Sequence, residues 1–115
     1  NMVLFGYGFD KRLSYSFEKT GPLEVARKTL ECFSRAVPAA VPMIAFLSGG
    51  QPDMEALNNL NQINKQSSPW YLSFSFGRAL QSGALELWGQ GKSLEVQEWV
   101  LNRAKECGDA VKGAL

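Results

Sequence analysis

The stretch Met43-Ile44-Ala45-Phe46-Leu47-Ser48-Gly49-Gly50-Gln51-Pro52-Asp53 decides the fold class. Its first half is an unbroken apolar run with no polar face. Such a run suits a strand covered on both sides, as in a parallel sheet flanked by helices. The two glycines then allow a sharp turn. Pro52 opens a helix, because its fixed φ fits a first turn, and Asp53 and Glu55 lie near the positive end of the helix dipole. Met54, Leu57, Leu60 and Ile63 give that helix an apolar side.

The same alternation extends in both directions. Upstream, Pro22 starts a helix whose apolar stripe is Leu23, Ala26, Leu30, Phe33 and Val37, and Pro38 ends it. Asn1 to Phe5 reads as the tail of a strand, and Gly6 to Gly21 as a glycine-punctuated loop. Downstream, Tyr71 to Phe76 alternates with period two. Leu72, Phe74 and Phe76 fall on one face, and Tyr71, Ser73 and Ser75 on the other. Gly77 breaks the strand and a helix follows from about Arg78 to Trp88. Gly89 and Gly91 separate it from a last helix, Ser93 to Val111, with a predicted buried stripe of Val96, Trp99, Val100, Ala104, Cys107 and Val111. Strands alternating with helices imply an α/β chain with a parallel sheet and right-handed crossovers. So small a sheet, open at both edges, is marginal alone. The chain therefore reads as one piece of something larger. A closed (β/α)8 barrel typically needs about 250 residues.

Composition narrows the function. The chain has 115 residues, 45% of them apolar and 20% charged, with formal net charge +1. No bulk field draws it to nucleic acid or to an anionic membrane. The basic and aromatic cluster Phe5, Tyr7, Phe9, Lys11, Arg12, Tyr15 and Phe17 lacks the sheet motif of a nucleic-acid surface. The longest mostly apolar stretch, Ala36 to Leu47, is too short to span a bilayer and contains two prolines. There is no histidine, which removes the commonest general base and metal ligand, and no metal site or cofactor is expected. Cys32 and Cys107 lie in different helical patterns and read as buried free thiols of a reducing compartment.

Two strand ends carry the chemistry. After the first, Ser48-Gly49-Gly50 offers bare N–H groups and a hydroxyl, as a phosphate-cradling loop does; an ordinary strand-to-helix turn has the same residues. After the second come Ser75, Gly77 and Arg78. Gly77 permits close backbone approach, and Arg78 supplies a bidentate, permanently charged phosphate partner at a helix N-terminus. A cation there is disfavoured by the dipole unless an anion compensates it; a solvated surface arginine is the alternative reading. Adjacent parallel strands deliver both loops to one face, so Ser48, Gly49, Gly50, Ser75, Gly77 and Arg78 are expected to converge on one anion.

No nucleophile is evident. Lys11, Lys19, Lys28, Lys65, Lys92, Lys105 and Lys112 lie outside the strands in polar surroundings, whereas a Schiff-base lysine needs an apolar pocket. Ser48 and Ser75 have no histidine to activate them. Glu24, Glu31, Glu86, Glu95, Glu98 and Glu106 fall on helices, on predicted solvent faces. Trp70, Trp88 and Trp99 read as packing residues.

The motifs resemble those of class I fructose-bisphosphate aldolases. Phe46 to Gln51 resembles the family's "FLSGGQ" segment, and Asn58 to Lys65 its "INLNAINK" helix. Pro69-Trp70 with Phe74 to Gln81 resembles "PW…FSYGRALQ". Leu85 to Gly89 is similar to the helix end that follows. Asn1-Met2-Val3 is similar to the "NMV" after the sixth barrel strand, and Val37 to Val41 to "VPPAV". The likeness runs in order to about Arg103. Leu4 to Gly21 departs from it, being longer than the usual connection, and the family's tyrosine-ended tail is not matched.

The resemblance implies a fold: residues 1–115 as the C-terminal part of a (β/α)8 TIM barrel, its last strands and helices plus a terminal helix. It also implies a cytoplasmic glycolytic and gluconeogenic lyase, commonly a homotetramer, that needs no metal. Such an enzyme cleaves fructose 1,6-bisphosphate to dihydroxyacetone phosphate and glyceraldehyde 3-phosphate through a lysine Schiff base. Ser48, Gly49, Gly50, Ser75, Gly77 and Arg78 would then hold the C1 phosphate. The Schiff-base lysine belongs to a Lys-Pro pair just before the position of Asn1, so this chain is expected to hold no catalytic residue and to be inactive without the rest of the barrel. The alternative is a non-catalytic sugar-phosphate-binding or assembly module that kept the phosphate loops.

Overall fold

Burial on both faces decides where the central strand lies. In the computed structural model, which describes residues 2–6, 21–48 and 51–115, the order is β1 (Met2–Gly6), α1 (Pro22–Ala36), β2 (Met43–Leu47), α2 (Asp53–Asn64), β3 (Tyr71–Phe74), α3 (Arg78–Gly89) and α4 (Ser93–Val111). The strands form one parallel sheet in the order β1-β2-β3. The register runs from Met2 opposite Met43 to Gly6 opposite Leu47, and from Met43 opposite Tyr71 to Phe46 opposite Phe74. Consecutive Ile44, Ala45 and Phe46 in β2 are all buried, as a strand flanked on both sides requires. The expected loop Gly6 to Gly21 lies largely outside the described residues, together with Lys11, Lys19 and most of the basic and aromatic cluster.

The core gathers around Phe33, Phe46 and Trp70. The Phe33 ring stacks on Phe46 at 5.8 Å and meets Trp70 edge-on at 6.1 Å. The Trp70 indole is buried, and its Nε1–H donates to the Pro38 carbonyl at 2.9 Å, so no polar group is stranded. Truncating Phe33 to alanine would cost about 3–5 kcal/mol, through lost transfer energy and the cavity left behind. Beneath it, α2 buries Ala56, Leu57, Leu60 and Ile63 against the sheet.

Several expectations need correction. Leu23 and Met54, the first members of their stripes, are half exposed, because the first turn of each helix overhangs the core. β3 ends at Phe74, two residues early. In α4 the expected stripe is largely uncovered. Cys107 is fully buried and Ala110 joins it, Val96, Trp99 and Val111 are half-buried, and Val100 and Ala104 are exposed. The helix packs through its C-terminal half, leaving Leu94 and Leu101 at the surface. Trp88 is 66% exposed, so it is not a packing residue within this chain. Cys32 is exposed and Cys107 buried, both as free thiols; only the second matches the buried-thiol expectation. Glu24 and Glu106 are only partly exposed, and Glu106 is held by an ion pair.

Candidate functional site

The loops after β2 and β3 leave the sheet side by side. Phe46 and Phe74 are register partners. One step later, the Ser75 N–H donates to the Phe46 carbonyl at 2.7 Å. Parallel pairing thus continues to the residue before Phe76, so Ser48 and the Ser75–Arg78 segment leave neighbouring strands at the same, carboxyl, end of the sheet.

Each loop is held differently. Ser48 is buried, and its carbonyl accepts both the Gln51 N–H and the Gln51 side-chain amide, each at 3.0 Å. The Gln51 amide oxygen in turn accepts from Asn59 Nδ2 at 2.7 Å, from a buried position on α2. Gln51 therefore ties the loop to its own helix. Gly49 and Gly50 lie outside the described residues. Ser75, Gly77 and Arg78 are exposed. Gly77 is the N-cap of α3 with negative φ, and a Cβ there would meet nothing within 4 Å. Neither backbone strain nor internal packing demands glycine at Gly77, so the space above its backbone is open to solvent.

The two helix N-termini differ in charge. The first turn of α2 contains Asp53 and Glu55, which answer its dipole from within the protein. The first turn of α3 contains no acid, has no side-chain cap and begins with Arg78. The Leu80 N–H is met by the Gly77 carbonyl at 3.2 Å, while the positive end of the α3 dipole has no acidic side chain to answer it. Arg78 pairs with no carboxylate among the described residues. The cleft beneath, between Phe46, Leu47, Gln51 and Phe76, holds only about 10 Å³, roughly the room for one water.

Arg103 on α4 was not singled out by sequence patterning. Its Nη1 lies 3.5 Å from Asp53 Oδ2 and donates to the Ala79 carbonyl at 3.3 Å, and its Nε lies 3.1 Å from Glu106 Oε2. Its guanidinium carbon sits 4.8 Å from the centre of the Trp99 ring. Asp53 Oδ2 also accepts from the Ser82 hydroxyl at 2.8 Å. Nearby, burial pushes the Cys107 thiol up from its ordinary range; Arg103 opposes this, and Glu106 and Asp53 add to it. A thiol so held is a poor nucleophile. The described lysines Lys28, Lys65, Lys92, Lys105 and Lys112 are all exposed and offer no apolar pocket for a Schiff base. The only sequence signal for Asn59 was a polar residue beside Leu60 on a helix facing the sheet. For Arg103 the spacing of Trp99 and Glu106 on its own helix was readable, but its contacts with Asp53 on α2 and Ala79 on α3 were not.

A family model described as fructose-bisphosphate aldolase class-I matches residues 1–115. This chain belongs to that family. Among aldolase relatives, the Echinococcus multilocularis fructose-bisphosphate aldolase is 48% identical over 98% of this chain and 30% of its own length. Cytosolic fructose-bisphosphate aldolase 6 of Arabidopsis thaliana is 50% identical over 84% of this chain and 28% of its own length. Chloroplastic aldolase 1 of Chlamydomonas reinhardtii is 49% identical over 83% and 26%. The aldolase chain of Plasmodium falciparum, solved with TRAP and a small-molecule inhibitor, superposes with a TM-score of 0.79 at 40% identity, covering 84% of this chain and 29% of that one. The chain thus spans between about a quarter and a third of the aldolases it matches. No helix among the described residues is long and apolar enough to cross a membrane.

Proposed function

We propose that this chain is the phosphate-binding part of a fructose-bisphosphate aldolase, the last strands and helices of a (β/α)8 barrel. Ser48, Gly49, Gly50, Ser75, Gly77 and Arg78 hold the C1 phosphate of fructose 1,6-bisphosphate. The observation that carries this reading is the level exit of two neighbouring parallel strands, fixed by the Ser75 N–H to Phe46 carbonyl bond, beside an acid-free helix N-terminus that begins with Arg78.

The division of labour follows from the chemistry. A dianionic phosphate gains charge-assisted hydrogen bonds from Arg78 and from main-chain N–H groups. Binding energy from this non-reacting end orients the carbonyl elsewhere in the substrate. Bond cleavage then requires an activated amine, which the exposed lysines among the described residues do not provide; in this proposal the Schiff-base lysine comes from the rest of the barrel and these residues alone do not cleave the sugar. The same proposal includes a homotetrameric assembly and a cytoplasmic location, in keeping with the cytosolic relatives. The chloroplastic relatives define the competing location.

Calorimetric titration with fructose 1,6-bisphosphate tests the reading. The protein is expected to bind, and Arg78→Ala to weaken binding by about 1.5–3 kcal/mol, the usual worth of a hydrogen bond to a charged group. Equal affinity of the two proteins would exclude Arg78 from the site. Binding without any sugar cleavage, even when the remainder of the barrel is supplied, would favour a non-catalytic sugar-phosphate module.

A further inference from the structure

We propose that Arg103 is a positioning residue that sets the spacing of the two phosphate loops; this rests on the phosphate-site reading above. Asp53 is the first residue of α2, the helix that follows the Ser48 loop, and Ala79 is the residue after Arg78. One nitrogen, Arg103 Nη1, contacts both: Asp53 Oδ2 at 3.5 Å and the Ala79 carbonyl at 3.3 Å. A guanidinium on a third helix therefore touches the first turns of both α2 and α3, beside the direct Ser82-to-Asp53 bond that also joins them.

The guanidinium itself is well fixed. Its side chain is 12% exposed, its Nε is held by Glu106 at 3.1 Å, and its guanidinium carbon lies over the Trp99 ring. Asp53 is fixed a second time by the Ser82 hydroxyl of α3 at 2.8 Å. A planar fork held on two sides transmits position better than a flexible ammonium. Small displacements between groups that share one ligand carry large penalties. Arg103 touches no part of the proposed site itself, so it acts through the separation of Ser48 from Arg78.

The test uses the protein as encoded, fructose 1,6-bisphosphate as the probe, and thermal unfolding as a control. Arg103→Gln and Arg103→Lys are each expected to weaken binding by roughly tenfold. The lysine variant keeps the charge, so its loss separates geometry from long-range attraction. The salt dependence of binding should stay that of the unmodified protein, because no charge touching the anion has been removed. Ile63→Val, which lowers stability from the core of α2, should leave affinity unchanged. If Arg103→Lys folds and binds as tightly as the unmodified protein, or if Ile63→Val weakens binding as much, the positioning role is overturned while the site stands. If the unmodified protein does not bind, the site and this role fall together.

Discussion

The Ser75 main-chain N–H donates to the Phe46 carbonyl at 2.7 Å, one residue past the end of β3. This bond keeps the exits of β2 and β3 level. Ser75→Pro withdraws the donor and should cost about 1–3 kcal/mol, the penalty for leaving a buried polar group unmatched. Ser75→Ala keeps the main chain and should leave the thermal midpoint unchanged while weakening fructose 1,6-bisphosphate. Thermal unfolding and calorimetry on both variants separate the two roles. Equal stability of Ser75→Pro would contradict the pairing.

Arg78 offers a sharper comparison. Arg78→Lys preserves charge but loses the planar fork, so anion affinity should fall between those of the unmodified protein and Arg78→Ala. Raising salt should weaken binding most in the unmodified protein and least in Arg78→Ala. A lysine variant indistinguishable from alanine would mean that bidentate geometry, and not charge, carries the contact.

Gly83 on α3 has no room for a side chain. A Cβ there would collide with the Trp99 indole on α4. Gly83→Ala should therefore destabilise by about 1–3 kcal/mol, as overpacking does, despite alanine's better helix propensity. Because Trp99 lies against Arg103, the same substitution should also weaken anion binding. Unchanged stability would show that the two helices separate without cost.

The two thiols should behave differently. Cys32 is exposed and should react with iodoacetamide in the native protein, while buried Cys107 should react only after unfolding. Burial raises the Cys107 pKa, so the folded state retains a proton that the unfolded state releases. Its contribution to stability is complete below the unfolded thiol pKa and is lost as pH rises through the folded value. Denaturant unfolding at increasingly alkaline pH should show that decline, and Cys107→Ala should flatten it. A variant with the same alkaline slope would assign the decline to other groups.

Local pattern settled the elements because their causes are local. An apolar run without a polar face fixed Met43–Leu47 as a covered strand, prolines fixed where helices start, and the order of elements fixed a parallel sheet with Ser48 and Arg78 following neighbouring strands at its carboxyl end. Residue type and position at a helix start make Arg78 the proposed anion partner. Packing between helices was not legible in this way. Periodicity names an apolar stripe but not what covers it, so Trp88 and half of α4 were expected inside and are exposed. Tertiary structure alone decided that Arg103, Asp53 and Ala79 meet, since they are far apart in sequence and lie on three different helices. The physical reason is range: strand and helix formation depend on neighbours a few residues away, whereas a side chain's partners across helices exist only once the chain has folded.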